Sequence, residues 1–329
     1  IDGQLIGRLK GLKLNLEFTK ETLDTDIKSL KKAAKQGIEE ELKKRVKSII
    51  ADKNIVLEDN FKIYWNGNPV AKIKKGKNYL SPEIEIISEE SLDVKDRENL
   101  YVFFNKWLED YVANELEDLI NLIKLENKSQ YIRALAFRLY ENNGVLKRDN
   151  IDEIIKKIDK VERKQFRNLG IKIGRYHVFL PKMLKPKAVS LRILLWRFFN
   201  SEKKDNKIPK SGLNFLFDEK KNFNPKFLLL CGYERFKNFY IRVDILEKLF
   251  IKIIEKTKNG KFQIDSDMIN LLGCKKDSFF QLMSLMNYKK FNNIDDTFIY
   301  KGIKKDKKLK RPYNKINNPF KKLEAINFK

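Results

Sequence analysis

Thiols and imidazoles are scarce in this chain. Its 329 residues include two cysteines, Cys231 and Cys274, and one histidine, His177. Two cysteines without a Cys-x-x-Cys spacing cannot build a disulfide framework and indicate ordinary thiols, so we expect a reducing, cytoplasmic location. Together with one histidine they leave almost no ligand set for zinc.

Long apolar runs and a leader sequence are also missing. The sequence contains no uncharged apolar run of about 18 residues. It therefore predicts no membrane-spanning helix and no membrane partner. The chain begins at Ile1 rather than Met, and no charged-then-apolar leader follows. We therefore expect no signal peptide and a piece of a longer protein.

Catalytic motifs are missing too. Gly-Lys occurs at 76–77 and 260–261, each time without the second glycine and the Ser or Thr of a phosphate loop. The sequence has no Gly-x-Ser-x-Gly, His-Glu-x-x-His or Gly-x-Gly-x-x-Gly motif. We expect no catalytic residue, no metal and no cofactor in this chain.

Positive charge, by contrast, is abundant and segregated. The net charge is +25, which favours a nucleic-acid partner. Residues 160–210 carry 15 basic and 3 acidic side chains, whereas residues 89–126 carry 11 acidic and 4 basic ones. The excess of lysine and asparagine is also typical of an AT-rich genome, so part of the charge can reflect codon bias. An even bias would not separate the charges in this way.

Hydrophobic periodicity predicts a mainly α protein with small β-hairpin and meander elements, in the α+β class. We expect a hairpin over 5–18, a helix over 25–52, a β-meander over 55–87 around the Asn66-Gly67 turn, and an acidic helix over 97–125. Further helices are predicted over 129–142, 149–168 and 187–200, the last apolar nearly all round and therefore central.

The predicted domains follow from these elements. They are a tandem hairpin-and-helix repeat over 1–126, a helical domain with a basic hairpin over 127–200, a linker over 201–222, a winged-helix-like module over 223–300, and a basic, flexible tail over 301–329. The repeat rests on residues 2–10, which match residues 66–74. Its first copy would need a strand before Ile1, and chance similarity is the alternative.

The richest segment is 160–187, where cations alternate with rings. Cations neutralise phosphates, and rings stack on unpaired bases. We expect contacts with single-stranded or structured RNA from Arg163, Lys164, Arg167, Lys172, Arg175, Tyr176, His177, Lys182, Lys185 and Lys187, and from Lys275 and Lys276 in the C-terminal module. The alternatives are a solvated rim of lysines and a strand histidine packed or stacked at a surface.

Eight segments resemble one family in the same order. They are 7–12 (Gly-Arg-Leu-Lys-Gly-Leu), Trp65 with 71–73 (Ala-Lys-Ile), 169–174 (Leu-Gly-Ile-Lys-Ile-Gly), 178–186 (Val-Phe-Leu-Pro-Lys-Met-Leu-Lys-Pro), 191–196 (Leu-Arg-Ile-Leu-Leu-Trp), 242–249 (Arg-Val-Asp-Ile-Leu-Glu-Lys-Leu), 271–274 (Leu-Leu-Gly-Cys) and 318–323 (Asn-Pro-Phe-Lys-Lys-Leu). The chain is similar in these segments to the C-terminal accessory region of alphaproteobacterial superfamily 2 (DEAD/DEAH-related) RNA helicases. These are relatives of the mitochondrial RNA-degradosome helicase.

This resemblance implies an RNA-binding region of an ATP-dependent RNA helicase. ATP and Mg²⁺ would bind to motor domains upstream, whose motifs are absent here, so the chain alone would hydrolyse nothing. Two alternatives remain open. One is a protein-interaction scaffold that docks a helicase on ribosomal or RNA-decay proteins, and the other is a DNA-binding regulator that uses 262–290.

Overall fold

The computed structural model describes residues 7–16, 27–52, 54–125, 128–201, 208–218, 224–291 and 296–301. Three predicted features lie wholly or partly outside these residues. They are the start of the first repeat copy (1–6), parts of the linker over 201–222, and the tail beyond Lys301. None of the described helices is long and apolar enough to cross a membrane.

The N-terminal elements confirm the predicted hairpin, helix and meander. Their bounds are β1 Gly7–Lys10, β2 Lys13–Leu16, α1 Ile27–Ala51, β3 Ile55–Leu57, β4 Lys62–Trp65, β5 Asn68–Lys74, β6 Glu83–Ile86, α2 Val94–Glu115 and α3 Glu117–Asn121. Strands β3 to β6 form an antiparallel sheet in chain order. The predicted acidic helix is divided at Leu116, and it buries Leu100, Phe104 and Leu108 as its spacing predicts.

The middle of the chain is helical around a small sheet. Its elements are α4 Gln130–Glu141, β7 Val145–Lys147, α5 Asp152–Lys157, α6 Lys160–Asn168, β8 Lys172–Ile173, β9 His177–Phe179 and α7 Pro186–Asn200. The predicted helix over 149–168 is two helices, because Ile158 is extended and Asp159 caps the second one. The predicted hairpin is present as β8 and β9, and β7 joins it in the order β7-β9-β8.

Helix α7 is central, as predicted, and it carries a buried charge. Arg192 is 0% exposed. Its guanidinium donates to the carbonyl oxygens of Met183 (3.1 Å), Leu230 (2.9 Å) and Asn143, which belong to three separate segments. Burial lowers the pKa of Arg192 to about 10. The arginine therefore ties three chain segments together through their carbonyl oxygens.

The C-terminal part contains two more sheets. Its elements are β10 Phe215–Phe217, α8 Pro225–Leu230, β11 Tyr233–Phe236, β12 Phe239–Arg242, α9 Val243–Lys256, β13 Lys261–Gln263, α10 Ser266–Leu272, α11 Lys276–Leu285, β14 Tyr288–Lys290 and β15 Thr297–Tyr300. The sheet orders are β10-β12-β11 and β13-β15-β14, with antiparallel neighbours. The fold is thus α+β, as predicted.

The chain divides into two compact units, and the division lies inside α9. The first comprises Ile1–Lys252 with Leu271–Gly273, and the second Ile253–Asn270 with Cys274–Lys329. The sequence places a boundary near 222 instead. Residues 224–252 belong to the first unit because Phe227 and Leu228 pack with Val189 and Ile193 of α7.

Candidate nucleic-acid interface

Helix α6 begins at a strong start signal. The Asp159 carboxylate accepts from the Glu162 N–H (2.7 Å), and the Glu162 carboxylate accepts from the Asp159 N–H (3.2 Å), which is a capping box. Ser129, which caps α4, donates its hydroxyl to Glu162. The first turn of α6 is therefore held on the first turn of α4.

The exposed face of α6 is cationic. Lys160, Arg163, Lys164 and Arg167 have the spacing i, i+3, i+4 and i+7, which places them on one side of a helix, and all four are exposed. Phe166 points the other way and is 0% exposed. Two turns of α6 thus present four positive charges to solvent.

Helix α6 ends in a Schellman motif that turns the chain toward the hairpin. The Ile171 N–H donates to the Phe166 carbonyl (2.9 Å), and the Gly170 N–H donates to the Arg167 carbonyl (3.0 Å). Gly170 has a φ of +75°, and a Cβ on it would lie 2.9 Å from the Asp118 carboxylate. The positive φ favours glycine here, and any larger residue would also displace the Asp118 carboxylate.

An open groove of about 580 Å³ lies between α6 and β8. Three predicted cations, Arg163, Arg167 and Lys172, share this groove with the apolar side chains of Phe166, Ile171 and Ile173. None of the three cations forms an ion pair with another described residue. Phe166 and Ile171 are buried beneath the groove, so it offers positive charge for phosphates and half-buried apolar surface at Ile173 for a base.

The histidine of the hairpin is buried. His177 is 1% exposed, and its Nε2 lies 2.9 Å from the Glu234 carboxylate. Its Nδ1 lies 3.7 Å from Glu247, and Lys147 donates to the second oxygen of Glu234 (2.6 Å). These four side chains are called the His177 cluster below. His177 is a buried structural residue, and this finding corrects its prediction as an RNA contact.

Glu247 reaches the hairpin from α9 and caps its turn. Its carboxylate accepts from three consecutive backbone N–H groups, those of Arg175 (2.6 Å), Tyr176 (2.8 Å) and His177 (2.9 Å). A Cβ on Gly174 would collide with this carboxylate. The turn is therefore an anion-binding nest that the chain fills with its own carboxylate.

The pKa values in the His177 cluster follow from burial and pairing. Burial alone would lower the pKa of His177, but the hydrogen bond to Glu234 and the nearby Glu247 raise it above its ordinary value. Burial alone would raise the pKa values of both glutamates, but His177 and, for Glu247, the backbone N–H groups hold them below their ordinary value. The cluster is thus a set of mutually stabilised charges.

The other predicted hairpin residues fall into two groups. Arg175 lies over the ring of Phe250 (5.8 Å to the centroid), and Tyr176 meets the same ring edge-on (5.6 Å), so both partly pack on α9. Lys182 pairs with Asp118 (2.8 Å) and Glu117 (3.7 Å). Lys185 and Lys187 are exposed at the start of α7, without an ion pair to any described residue.

In the second unit, Lys275 and Lys276 lie at the start of α11. Lys275 is exposed, whereas Lys276 pairs with Asp296 (2.5 Å) and lies over the ring of Phe280 (5.4 Å). Lys290 shares both partners, at 3.4 Å from Asp296 and 5.3 Å from the ring. The charge of Lys276 is therefore largely satisfied within the unit.

Sequence reasoning missed Lys160 and the partners of His177. Lys160 precedes Arg163 by three residues, so helical spacing could have found it. Glu234 and Glu247 are 57 and 70 residues from His177, and no local pattern indicates them. No group of three or more metal-ligating side chains that could hold a metal ion is found among the described residues.

Comparison with protein-family models, with curated proteins and with solved structures finds no match to this chain.

Proposed function

We propose that this chain binds single-stranded RNA through the cationic face of α6 and the adjoining groove. The observation that carries the proposal is the convergence of Arg163, Arg167 and Lys172 on one apolar-walled groove without carboxylate partners among the described residues. Lys160 and Lys164 extend the same charge along the helix. A polyanion gains most where cations have no internal partner, because it need not displace one.

Single strands fit this groove better than duplexes. The accessible apolar side chain of the groove, Ile173, can contact the face of a base only when that base is not paired and stacked. RNA, rather than DNA, is proposed because of the resemblance to RNA-helicase accessory regions. In that role the chain would hold the strand on which a separate ATP-dependent motor acts, and it would hydrolyse no ATP by itself.

The test is salt-dependent binding of a labelled oligouridine of about 12 nucleotides. Replacing Arg163, Arg167 and Lys172 by Gln should lower the log–log salt slope by about 2, at roughly 0.7 per phosphate contact of a single strand. The matched control replaces Lys95, Lys106 and Lys124, which are exposed in the acidic region, by Gln. Equal slopes for the two variants, or no RNA binding by the wild type at low salt, would refute the proposal.

A second candidate concerns the C-terminal elements. We propose a winged-helix-like module, because α9, β13, α10, α11, β14 and β15 follow one another as helix, strand, helix, helix, strand, strand, with the sheet order β13-β15-β14. A DNA-binding regulator would insert α11 into a major groove. The pairing of Lys276 with Asp296 argues against that use, so nucleic acid should meet this module elsewhere.

A further inference from the structure

The β13–β15 sheet of the second unit has one buried and one exposed face. Neighbouring strands place Phe262 beside Phe298, and both side chains are buried. Because side chains alternate along a strand, the adjacent rows face outward. One outward row is Lys261, Ile299 and Lys289, and the next is Gln263, Thr297 and Phe291, whose N–H donates to the Thr297 carbonyl (2.7 Å).

The strand residues of this outward face carry only positive charge, while Glu255 and Asp265 border the groove beside Lys261 and Asp265 pairs with Lys256. The two rows of the face contain the exposed cations Lys261 and Lys289 and no carboxylate. Neither lysine forms an ion pair with any residue that the structure describes. The α11 side of the same unit differs, because Asp296 forms ion pairs with Lys276 and Lys290 there.

An exposed aromatic ring lies on the same face. Phe291 is 46% exposed, and the Lys261 ammonium is 3.5 Å from its ring centroid. An exposed cation–π contact is weaker than the stacking of a base on a ring, so a nucleotide can displace the flexible lysine. The released ammonium would then be free to meet a phosphate.

We propose that this outward sheet face is a second binding site for single-stranded nucleic acid. Phe291 stacks on one base, while Lys261 and Lys289 contact phosphates from the two strands that flank β15. Those strands are about 10 Å apart, at two strand spacings. This site rests on the proposed RNA-binding function. It deepens that proposal because it supplies an exposed ring for base stacking, which the hairpin does not: Phe179 is buried and Tyr176 packs on Phe250.

An unpaired strand is the occupant that this chemistry fits. A flat sheet face with an exposed ring suits a base whose own face is free, and a duplex hides those faces in its stack. Two lysines without an ion pair to any described residue favour a polyanion. An acidic protein surface would use the lysines but would gain little from the ring.

The first experiment separates the ring from the charges in the full chain, with labelled oligouridine. Phe291→Ala should weaken binding about fivefold or more without changing the salt slope, and Phe291→Trp should restore it. Lys261→Gln with Lys289→Gln should lower the slope by about 1.4. The matched controls, Tyr101→Ala and Lys95→Gln with Lys106→Gln, replace exposed residues of the acidic helix and should change neither quantity.

The second experiment uses the unaltered protein, so it does not depend on how any variant folds. Photo-crosslinking of an oligouridine that carries 4-thiouridine should place adducts at Phe291 and its neighbours on β14 and β15. Adducts confined to α6 and the groove would refute the sheet site and leave the proposed function intact. No adducts and no binding at low salt would refute both.

Two further results would overturn this inference. Equal affinity of Phe291→Ala and wild type for oligouridine would show that the ring is not a stacking platform. Stronger binding of the duplex than of the single strand, with loss of affinity in the lysine double variant, would show that the face attracts any polyanion without reading unpaired bases.

Discussion

The α6 face and His177 belong to the same basic stretch of sequence, yet their charges have opposite surroundings. On α6, four cations face solvent without carboxylate partners among the described residues. In the hairpin, fewer than 20 residues further along, the histidine is buried and flanked by two glutamates that come from β11 and α9. The cations of α6 are exposed to solvent, whereas His177 is buried and interacts with carboxylates of the same chain.

The difference shows what burial does to an ion pair. Exposed pairs contribute about 0–1 kcal/mol, whereas removing one partner of a buried pair costs about 3–5 kcal/mol, because the other charge is left unpaired. Substitutions in the His177 cluster should therefore change stability. Substitutions on α6 should change ligand affinity with little effect on stability.

The largest expected effect is that of Glu247→Ala. The substitution leaves three backbone N–H groups without their acceptor and removes the negative charge that lies 3.7 Å from His177 Nδ1, so the free energy of unfolding should fall by about 3–5 kcal/mol. Urea denaturation measures this change. The exposed Glu98→Ala on α2 serves as control and should change stability by less than about 0.5 kcal/mol. A loss below about 1 kcal/mol for Glu247→Ala would mean that the nest is filled by water instead.

The next effect concerns pH. The raised pKa of His177 means that its contribution is fully present below its ordinary value of 6.5 and is lost as pH rises through the folded-state value. The pKa values of Glu234 and Glu247 are lowered, so the contribution of these glutamates to stability is present above pH 4.5 and is lost as pH falls through the folded-state values. The cluster should stabilise the fold most between these limits.

His177→Gln tests this expectation cleanly, because the chain has no other histidine. The wild-type free energy of unfolding should decline as pH rises above 6.5, and the variant should lose that decline. Urea denaturation at several pH values is the measurement. An equal pH dependence in both proteins would show that folding does not shift the pKa of His177.

A smaller effect is expected for Gly170→Ala at the edge of the groove. The left-handed backbone costs a non-glycine residue about 1–3 kcal/mol, and the Asp118 carboxylate must also move. Gly212→Ala is the matched control, since Gly212 has a φ of +88° with no atom within 4 Å of the added Cβ. Thermal unfolding should give Gly170→Ala a lower melting temperature than Gly212→Ala. Equal melting temperatures would show that Asp118 yields without cost.

The smallest effect separates paired from unpaired surface lysines. Lys182 is held by Asp118, which raises the pKa of its ammonium, so Lys182→Ala should lower the salt slope of RNA binding by much less than about 0.7. Lys185→Ala with Lys187→Ala should lower it by up to about 1.4, because neither lysine has an internal ion pair among the described residues. The oligouridine titration that tests the groove measures both. Equal slopes per lysine would show that the ion pair with Asp118 opens at no cost.

Most elements could be predicted from the sequence because their signals are local. The spacing of Leu100, Phe104 and Leu108 indicated the buried stripe of α2, and Asn66-Gly67 indicated the turn between β4 and β5. The break between α5 and α6 was missed, although Asp159 and Glu162 have the spacing of a capping box.

The site could be predicted only in part, for the same reason. The spacing of Arg163 and Arg167 predicts that they share one helix face. Lys172 was predicted as part of the same basic segment. The role of His177 depends on glutamates from distant elements, which a basic local composition cannot reveal. Composition therefore identified the charged region but could not separate its exposed cations from its buried, paired residues.

Gly174 and Glu247 restrict each other's replacement during evolution. A side chain at 174 would collide with the carboxylate, so no larger residue can enter there while Glu247 remains. A shorter residue at 247 would open that space, but it would first leave three N–H groups unsatisfied. Either first step lowers stability, so related chains should keep both residues or have replaced both.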